Sequence, residues 1–419
     1  MQRSFRLALF AAPLCACLLI ALAQTPAAAQ TFEAWDDRRA SEILRPNVLG
    51  GPHHRVQERV ISDGFQHHYV VDSDVGRFTA QGDAMLRRLV NEIYAIIELR
   101  KISQGKAFAD ATVAAAASPL KAAKNLVTDP VDTVSGVPEG IYSIFARVGQ
   151  RFSTDRTEYE DGAAKGLLAV SSFKRDYARR LNVDVYSTNK ALQTELNRLG
   201  WASAAGNLAP SAALSFASGG AVVAVQQLRH VQQLNDLLKE LPPGELNRRN
   251  RATLKKMGIE DGLIEKFMDH KIYSPRHKTV LVESLAALGS ARGRGTLVRQ
   301  ALAADAEPGA LFYQQVAETY AGYHRTVSPL RELAVHNGLP IAYAQNATLV
   351  VAFPLDYGRW TTRSAPVVRN LAANYPKRNG VKTIDIWVTG RFSDQARREL
   401  AALKIKVTEN VDERIGMMD

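Results

Sequence analysis

The chain has 419 residues, 46% hydrophobic and 23% charged, with a formal net charge of +11 and two cysteines. That composition belongs to an ordinary globular protein and excludes a disordered, collagen-like or disulfide-stapled chain. The basic balance favours acidic partners such as phosphates, lipopolysaccharide and acidic polymers.

The chain opens with Arg3 and Arg6, then an uncharged and mostly apolar run from Leu7 to Ala23, then Pro26-Ala27-Ala28-Ala29-Gln30. A basic head, a short apolar segment and a small-x-small site are the three parts a signal peptidase reads. The expected cut lies between Ala29 and Gln30, with Ala23 as second choice. The apolar run, ~16 residues, is short of the roughly 20 that span a bilayer. Lipoprotein processing at Cys17 is disfavoured because Cys15 stands where a small or aliphatic residue is wanted. Removing residues 1–29 takes away Cys15 and Cys17, leaving no thiol nucleophile, disulfide or cysteine ligand, and takes away Arg3 and Arg6, leaving +9.

Residues 30–82 read as an extended leader followed by a β-hairpin element. Val56–Ser62 and Phe65–Val71 are β-prone runs flanking Asp63-Gly64, the pair a type I′ turn favours. Asp83 is expected to cap a long helix with Met85, Leu86, Leu89, Val90, Ile93, Ile96, Ile97 and Ile102 on one wide stripe, closing at Gly105. Residues 83–149 form a helical segment with further helix starts near Pro130 and Pro138, and 150–162 is a polar linker. Helices are expected at 163–181, 188–205, 211–240, 244–257, 259–270, 275–288, 295–304 and 308–323, a multi-helix domain over 163–335. The remainder, 336–419, reads as an α/β module. Strands fall at Pro340–Ala344, Thr348–Phe353, Thr383–Val388 and Lys404–Val407, with helices at Arg363–Asn374 and Ser393–Leu403.

Few residue patterns point to chemistry. His53-His54 and His67-His68 are adjacent pairs, and neighbours on a strand face opposite ways, so neither pair chelates one ion alone. A zinc site would need His67 or His68 to meet ligands from another element. Asp72-Ser73-Asp74-Val75-Gly76 starts like a calcium loop but has Gly76 at the third acidic position and Asp83 at the closing one. No metal site and no cofactor are therefore expected. Ser118-x-x-Lys121 and Ser171-x-x-Lys174 match the spacing of acyl-serine enzymes, but no Lys-Thr-Gly strand accompanies them. Gly289–Thr296 lacks the Gly-Lys-Ser/Thr ending of a phosphate loop and reads as an interhelical turn. Gly390-Arg391-Phe392-Ser393 places an arginine and a helix start after a strand, a weak anion-binding arrangement.

Arg248, Arg249, Arg251, Lys255 and Lys256 form the densest basic cluster and are the candidate binding residues for an anionic surface. The turn Met257-Gly258-Ile259 resembles a helix-hairpin-helix, but Glu260 replaces its second glycine and export removes the chain from nucleic acid, which is not expected as a partner. Ala204–Val225 is uncharged and long enough to cross a membrane, yet Pro210 and Gly219-Gly220 interrupt it. A buried helical hairpin is the expectation, with no stable transmembrane span.

Three phrases resemble an uncharacterised family of exported bacterial proteins: Thr128-Asp129-Pro130-Val131-Asp132-Thr133 running into Gly136-Val137-Pro138, Asp184-Val185-Tyr186-Ser187-Thr188-Asn189, and Trp387-Val388-Thr389-Gly390. The resemblance implies export and carries no activity. The expected fold is α+β and predominantly α-helical: an N-terminal β-hairpin element, a multi-helix middle domain and a small C-terminal α/β module. The expected role is an exported, envelope-associated binding or structural protein. The alternative is a hydrolase with its site between the helical domain and the α/β module.

Overall fold

A computed structural model describes residues 32–34, 37–105, 108, 161–204, 229–375 and 380–418, with the backbone alone over 161–168 and at 229. The chain divides after Phe32, and the elements below lie in the unit from Glu33 to Asp419. The expected cleavage site, the helices expected between 109 and 149, residues 150–160 of the linker and the uncharged stretch from 205 lie outside the described residues.

The N-terminal sheet has six strands: β1 (Arg38–Arg39), β2 (Gly50–Gly51), β3 (His54–Val56), β4 (Arg59–Ser62), β5 (His67–Ser73) and β6 (Gly76–Gln81). The central strand β5 pairs antiparallel with β6 along one edge and with β4 and then β3 along the other. The Asp63-Gly64 turn differs from the expected two-residue loop. Ser62 pairs with His67, so four residues make the turn. Gly64 has φ +87°, and the Asp63 side chain accepts the amides of Phe65 and Gln66 at 2.9 and 2.7 Å. A side chain that caps two amides can hold a longer turn than backbone pairing alone. Strand β6, which the sequence reading passed over, follows a two-residue turn at Asp74-Val75.

Alternation along β5 turns His67, Tyr69 and Val71 inward. Tyr69 and Val71 meet Leu86, Leu89, Val90 and Ile93 of helix α3 (Asp83–Ser103), preceded by short helices α1 (Ala40–Ile43) and α2 (Pro46–Leu49). Asp83 is not the N-cap of α3. Gly82 is, at φ +94°, and Asp83 is the first helical residue. The far half of α3 packs Ala95, Ile96 and Leu99 against α4 (Asp161–Arg180) and α5 (Lys190–Ala204), so one helix serves two cores.

Helices α6 (Arg229–Glu240), α7 (Pro243–Lys256), α8 (Asp261–Met268), α9 (Pro275–Ala286) and α10 (Arg294–Ala301) lead to α11 (Glu307–Thr326). Helix α11 is buried nearly all round, which an amphipathic surface helix would not be. It lies in a core shared with the C-terminal sheet, from Leu254 and Phe267 through Tyr320 to Val350 and Trp387. The helical region and the last ninety residues are thus joined by a common apolar cluster. The sheet runs β13-β11-β9-β8-β7: β7 (Leu330–His336), β8 (Leu339–Ala344), β9 (Thr348–Ala352), β11 (Thr383–Trp387) and β13 (Ile405–Thr408). Strands β9, β11 and β13 are parallel, with α12 (Ser364–Asn374) and α13 (Asp394–Ala402) in the crossovers. Strand β7 begins before the expected boundary at 336 and turns into β8 through Asn337-Gly338, both at positive φ. A small parallel pair, β10 (Tyr357–Gly358) with β12 (Arg391–Phe392), and helix α14 (Val411–Ile415) complete the fold. Among the described residues no helix is long and apolar enough to cross a membrane.

Candidate anion-binding site

Helical spacing sets the basic residues of one cavity. Helix α3 presents Arg87, Arg88, Asn91 and Glu92, neighbours on one face at three- and four-residue steps. Helix α4 adds Arg175 and Arg179, and α6 adds Asn235 and Lys239, each pair one turn apart. Arg276 enters from the start of α9, and Asp184 and Tyr186 from the segment between α4 and α5. Together with Met417 and Met418 they line a cavity of about 150 Å³, room for roughly five waters.

Most of these cations are held. Arg88, with its side chain 10% exposed, donates to Glu307 and lies 3.9 Å from Glu92. Burial opposes its charge, but Glu307 and Glu92 more than offset that and stabilise the guanidinium. Burial likewise opposes the Glu307 carboxylate, and Arg88 and Thr188 hold it below the ordinary range. Glu92 is different: burial pushes its carboxyl up despite Arg88. Its Oε2 accepts from Asn189 at 3.0 Å, while the buried Oε1 faces Arg88 at 3.9 Å without a hydrogen bond. Arg276 lies 3.9 Å from Asp184, Arg87 3.6 Å from Asp412, and Arg179 2.6 Å from Asp176.

Arg175 and Lys239 have no carboxylate within 4.0 Å among the described residues. Burial lowers the pKa of both; Tyr186 partly opposes this at Arg175, while Arg276 and Arg179 press Lys239 further down against a pull from Asp236. His277 sits behind the wall with both ring nitrogens buried and unpartnered, and burial, with Arg88 next, pushes its pKa down to about 3. Two half-buried cations among other cations make a place where an added anion gains charge-assisted hydrogen bonds.

The basic cluster singled out from the sequence occupies an outer face of α7. Arg248 pairs with Glu245, Arg249 with Glu283 at 3.0 Å, Arg251 with Glu265 and Asp269 at 2.9 and 3.2 Å, and Lys255 with Asp261 at 3.4 Å. Only Lys256 of the five has no such pair among the described residues. Density of basic letters on one helix does not reveal carboxylates brought up by neighbouring turns. The cavity's basic residues carry no motif in the sequence; their local signals are the one-turn spacings Arg175/Arg179 and Asn235/Lys239, and Asp184 and Tyr186 belong to one of the phrases of the family resemblance.

Other singled-out residues have structural duties. Lys174 is buried and donates to Gln193 at 3.1 Å, and burial pushes its pKa down to about 7. Ser393 caps α13, and its hydroxyl donates to Glu33, so the Gly390–Ser393 helix start already faces a carboxylate. Arg292, in the turn before α10, pairs with Glu332 at 2.7 Å. His53 meets Asp74, His54 the carbonyl of Val48, and His68 Asp63.

His67 does meet ligand-type atoms from other elements. Its Nδ1 lies 3.0 Å from Asp83 Oδ1 and 3.9 Å from Asp356 Oδ2. The Tyr69 hydroxyl also donates to Asp83 Oδ1, at 2.6 Å. Burial and the neighbouring Asp83 push the Asp356 carboxyl up to about 7. Burial opposes the Asp83 carboxylate too, but His67, Tyr69 and Arg87 keep its pKa low.

No family model, curated protein or solved structure matches this chain. The site therefore rests on its own geometry.

Proposed function

We propose that this is an exported protein of the cell envelope that binds a small anion, bearing phosphate or carboxylate groups, in the cavity between α3, α4, α6 and α9. The observation that carries the reading is the pair Arg175 and Lys239, unmatched by carboxylates on the wall of a cavity whose other cations are paired. Each charge-assisted hydrogen bond to an anion there contributes about 1.5–3 kcal/mol. The export half rests on the Arg3–Gln30 segment.

Calorimetric titration of the full chain with pyrophosphate and with citrate at low salt tests the binding half. Saturable one-to-one binding is expected, and Arg175→Gln with Lys239→Gln should weaken it more than about ten-fold. Arg248→Gln, Arg249→Gln and Arg251→Gln together should leave it unchanged. The reverse pattern would move the anion from the cavity to the outer face of α7, and no saturable binding would remove the proposal.

A further inference from the structure

The three side chains His67, Asp83 and Asp356 come from β5, the first turn of α3 and the segment after β9. Each offers one ligand atom, and these atoms all lie within 4.8 Å of one another. In a four-coordinate site with bonds of about 2.0–2.2 Å, neighbouring ligand atoms lie roughly 3.3–3.6 Å apart. The observed 3.0 and 3.9 Å from His67 Nδ1 to the two carboxylates bracket that spacing.

From this geometry we infer that His67 Nδ1, Asp83 and Asp356 form a binding site for one first-row divalent cation of the Zn²⁺ or Mn²⁺ type. Charge argues for it first. Two carboxylates and one imidazole coordinating as the neutral ligand carry −2, which a divalent ion cancels in a place where His67 is 2% exposed and the Asp356 side chain 11%. The ligand set argues second, because an imidazole beside two carboxylates suits zinc or manganese better than calcium or magnesium.

Preorganisation argues third. Asp356 is fixed before any ion arrives: its Oδ2 accepts the His67 amide at 2.8 Å and its Oδ1 the Asp83 amide at 3.1 Å. Tyr69, donating to Asp83 Oδ1, is an outer-shell partner of the kind that orients a ligating carboxylate. The open side is that of Asp83, whose side chain is 29% exposed. It faces a cavity of about 40 Å³ whose polar lining is Gln66, Gln81, Gln315, Thr389 and the ion pair of Arg87 with Asp412, with space for water to complete the coordination. Arg87 lines both this cavity and the anion cavity, but the cation site uses none of the anion cavity's unmatched cations.

The test is on the full chain, stripped with chelator and titrated with Mn²⁺ under electron paramagnetic resonance, with Zn²⁺ as competitor. One ion per chain is expected, displaced by Zn²⁺ and not by Mg²⁺, with one directly coordinated imidazole nitrogen in the pulsed spectrum. Asp83→Asn should weaken binding by more than about 100-fold, and Tyr69→Phe by about ten-fold, in keeping with loss of a ligand and of an outer-shell partner. If Asp83→Asn fails to fold, the nitrogen coupling in the wild-type chain decides alone. No uptake of Mn²⁺ or Zn²⁺ at about 1 mM ion, a bound ion lacking nitrogen coupling, or affinity undiminished in Asp83→Asn would overturn the assignment and leave the three residues as a hydrogen-bonded tie.

Discussion

Asp356 and Asp83 stand 273 residues apart, yet Asp356 Oδ1 accepts the Asp83 amide at 3.1 Å while its Oδ2 accepts the His67 amide at 2.8 Å. One carboxylate thereby caps the first turn of α3, holds the start of β5 and ties both to the C-terminal α/β region. An amide at a helix start has no intrahelical partner, so a side chain from elsewhere can take it.

Removing that carboxylate leaves two backbone donors without their acceptor. Asp356→Ala is expected to destabilise the fold by about 2–4 kcal/mol, since an orphaned buried donor costs about 1–3 kcal/mol. Asp356→Asn, which keeps one acceptor oxygen, should cost less than Asp356→Ala. Urea unfolding of the three proteins in chelator checks the order.

His277 makes stability fall in acid. Its folded pKa is depressed from 6.5 to about 3, by burial first and by Arg88 and Arg276 as well, with Glu307 opposing. The unfolded chain therefore binds a proton below its pKa of 6.5 that the folded chain refuses. The stability is fully present above that pH and is lost as pH drops toward 3. At about pH 5 this amounts to about 2 kcal/mol. His277→Leu should flatten the profile between about pH 7.5 and about pH 5 in denaturant melts. An unchanged slope would mean that another group carries the acid sensitivity.

Lys174 works in the same direction at higher pH. Burial lowers its pKa from 10.5 to about 7, so the unfolded chain holds a proton over that interval that the folded chain tends to release. Stability is full above 10.5 and declines as pH falls toward 7. Lys174→Met keeps the aliphatic stem and drops the amine, and should stabilise the protein at neutral pH by about 1–3 kcal/mol. Gln193 keeps its bonds to the carbonyls of Val185 and Ser187, both 2.9 Å. Thermal melts of the two proteins at neutral pH give the sign directly.

Two glycines at positive φ should respond differently to alanine. A Cβ at Gly293, φ +73°, would fall 2.0 Å from the Leu333 carbonyl oxygen, in the bridge that ties the turn before α10 to β7. At Gly338, φ +79°, nothing lies within 4 Å. Gly338→Ala should therefore cost only the backbone strain, about 1 kcal/mol. Gly293→Ala adds a backbone clash and should cost about 3 kcal/mol or more. Equal melting temperatures for the two variants would refute the close approach at Leu333.

Local sequence determined what depends on near neighbours. The stripe from Leu86 to Ile97 made α3, the apolar runs from Thr348 and Thr383 made β9 and β11, and the chain is a helix-leaning α+β fold as the periodicities imply. Local too is the turn Asn337-Gly338, a strong hairpin pair that sets β7 against β8. Tertiary structure alone decided which charges meet. Arg88 finds Glu307 across 219 positions, Arg251 finds Glu265 across the turn after α7, and His67 finds Asp356 across 289. Periodicity fixes which face of its own element a side chain occupies. What that face then meets is set by the packing of helices and sheets far apart in sequence, and charge balance at any point is a property of that packing. That is why the basic letters dense in the sequence proved mostly paired, while the two unmatched cations of the cavity, Arg175 and Lys239, stood in stretches that gave no sign of each other.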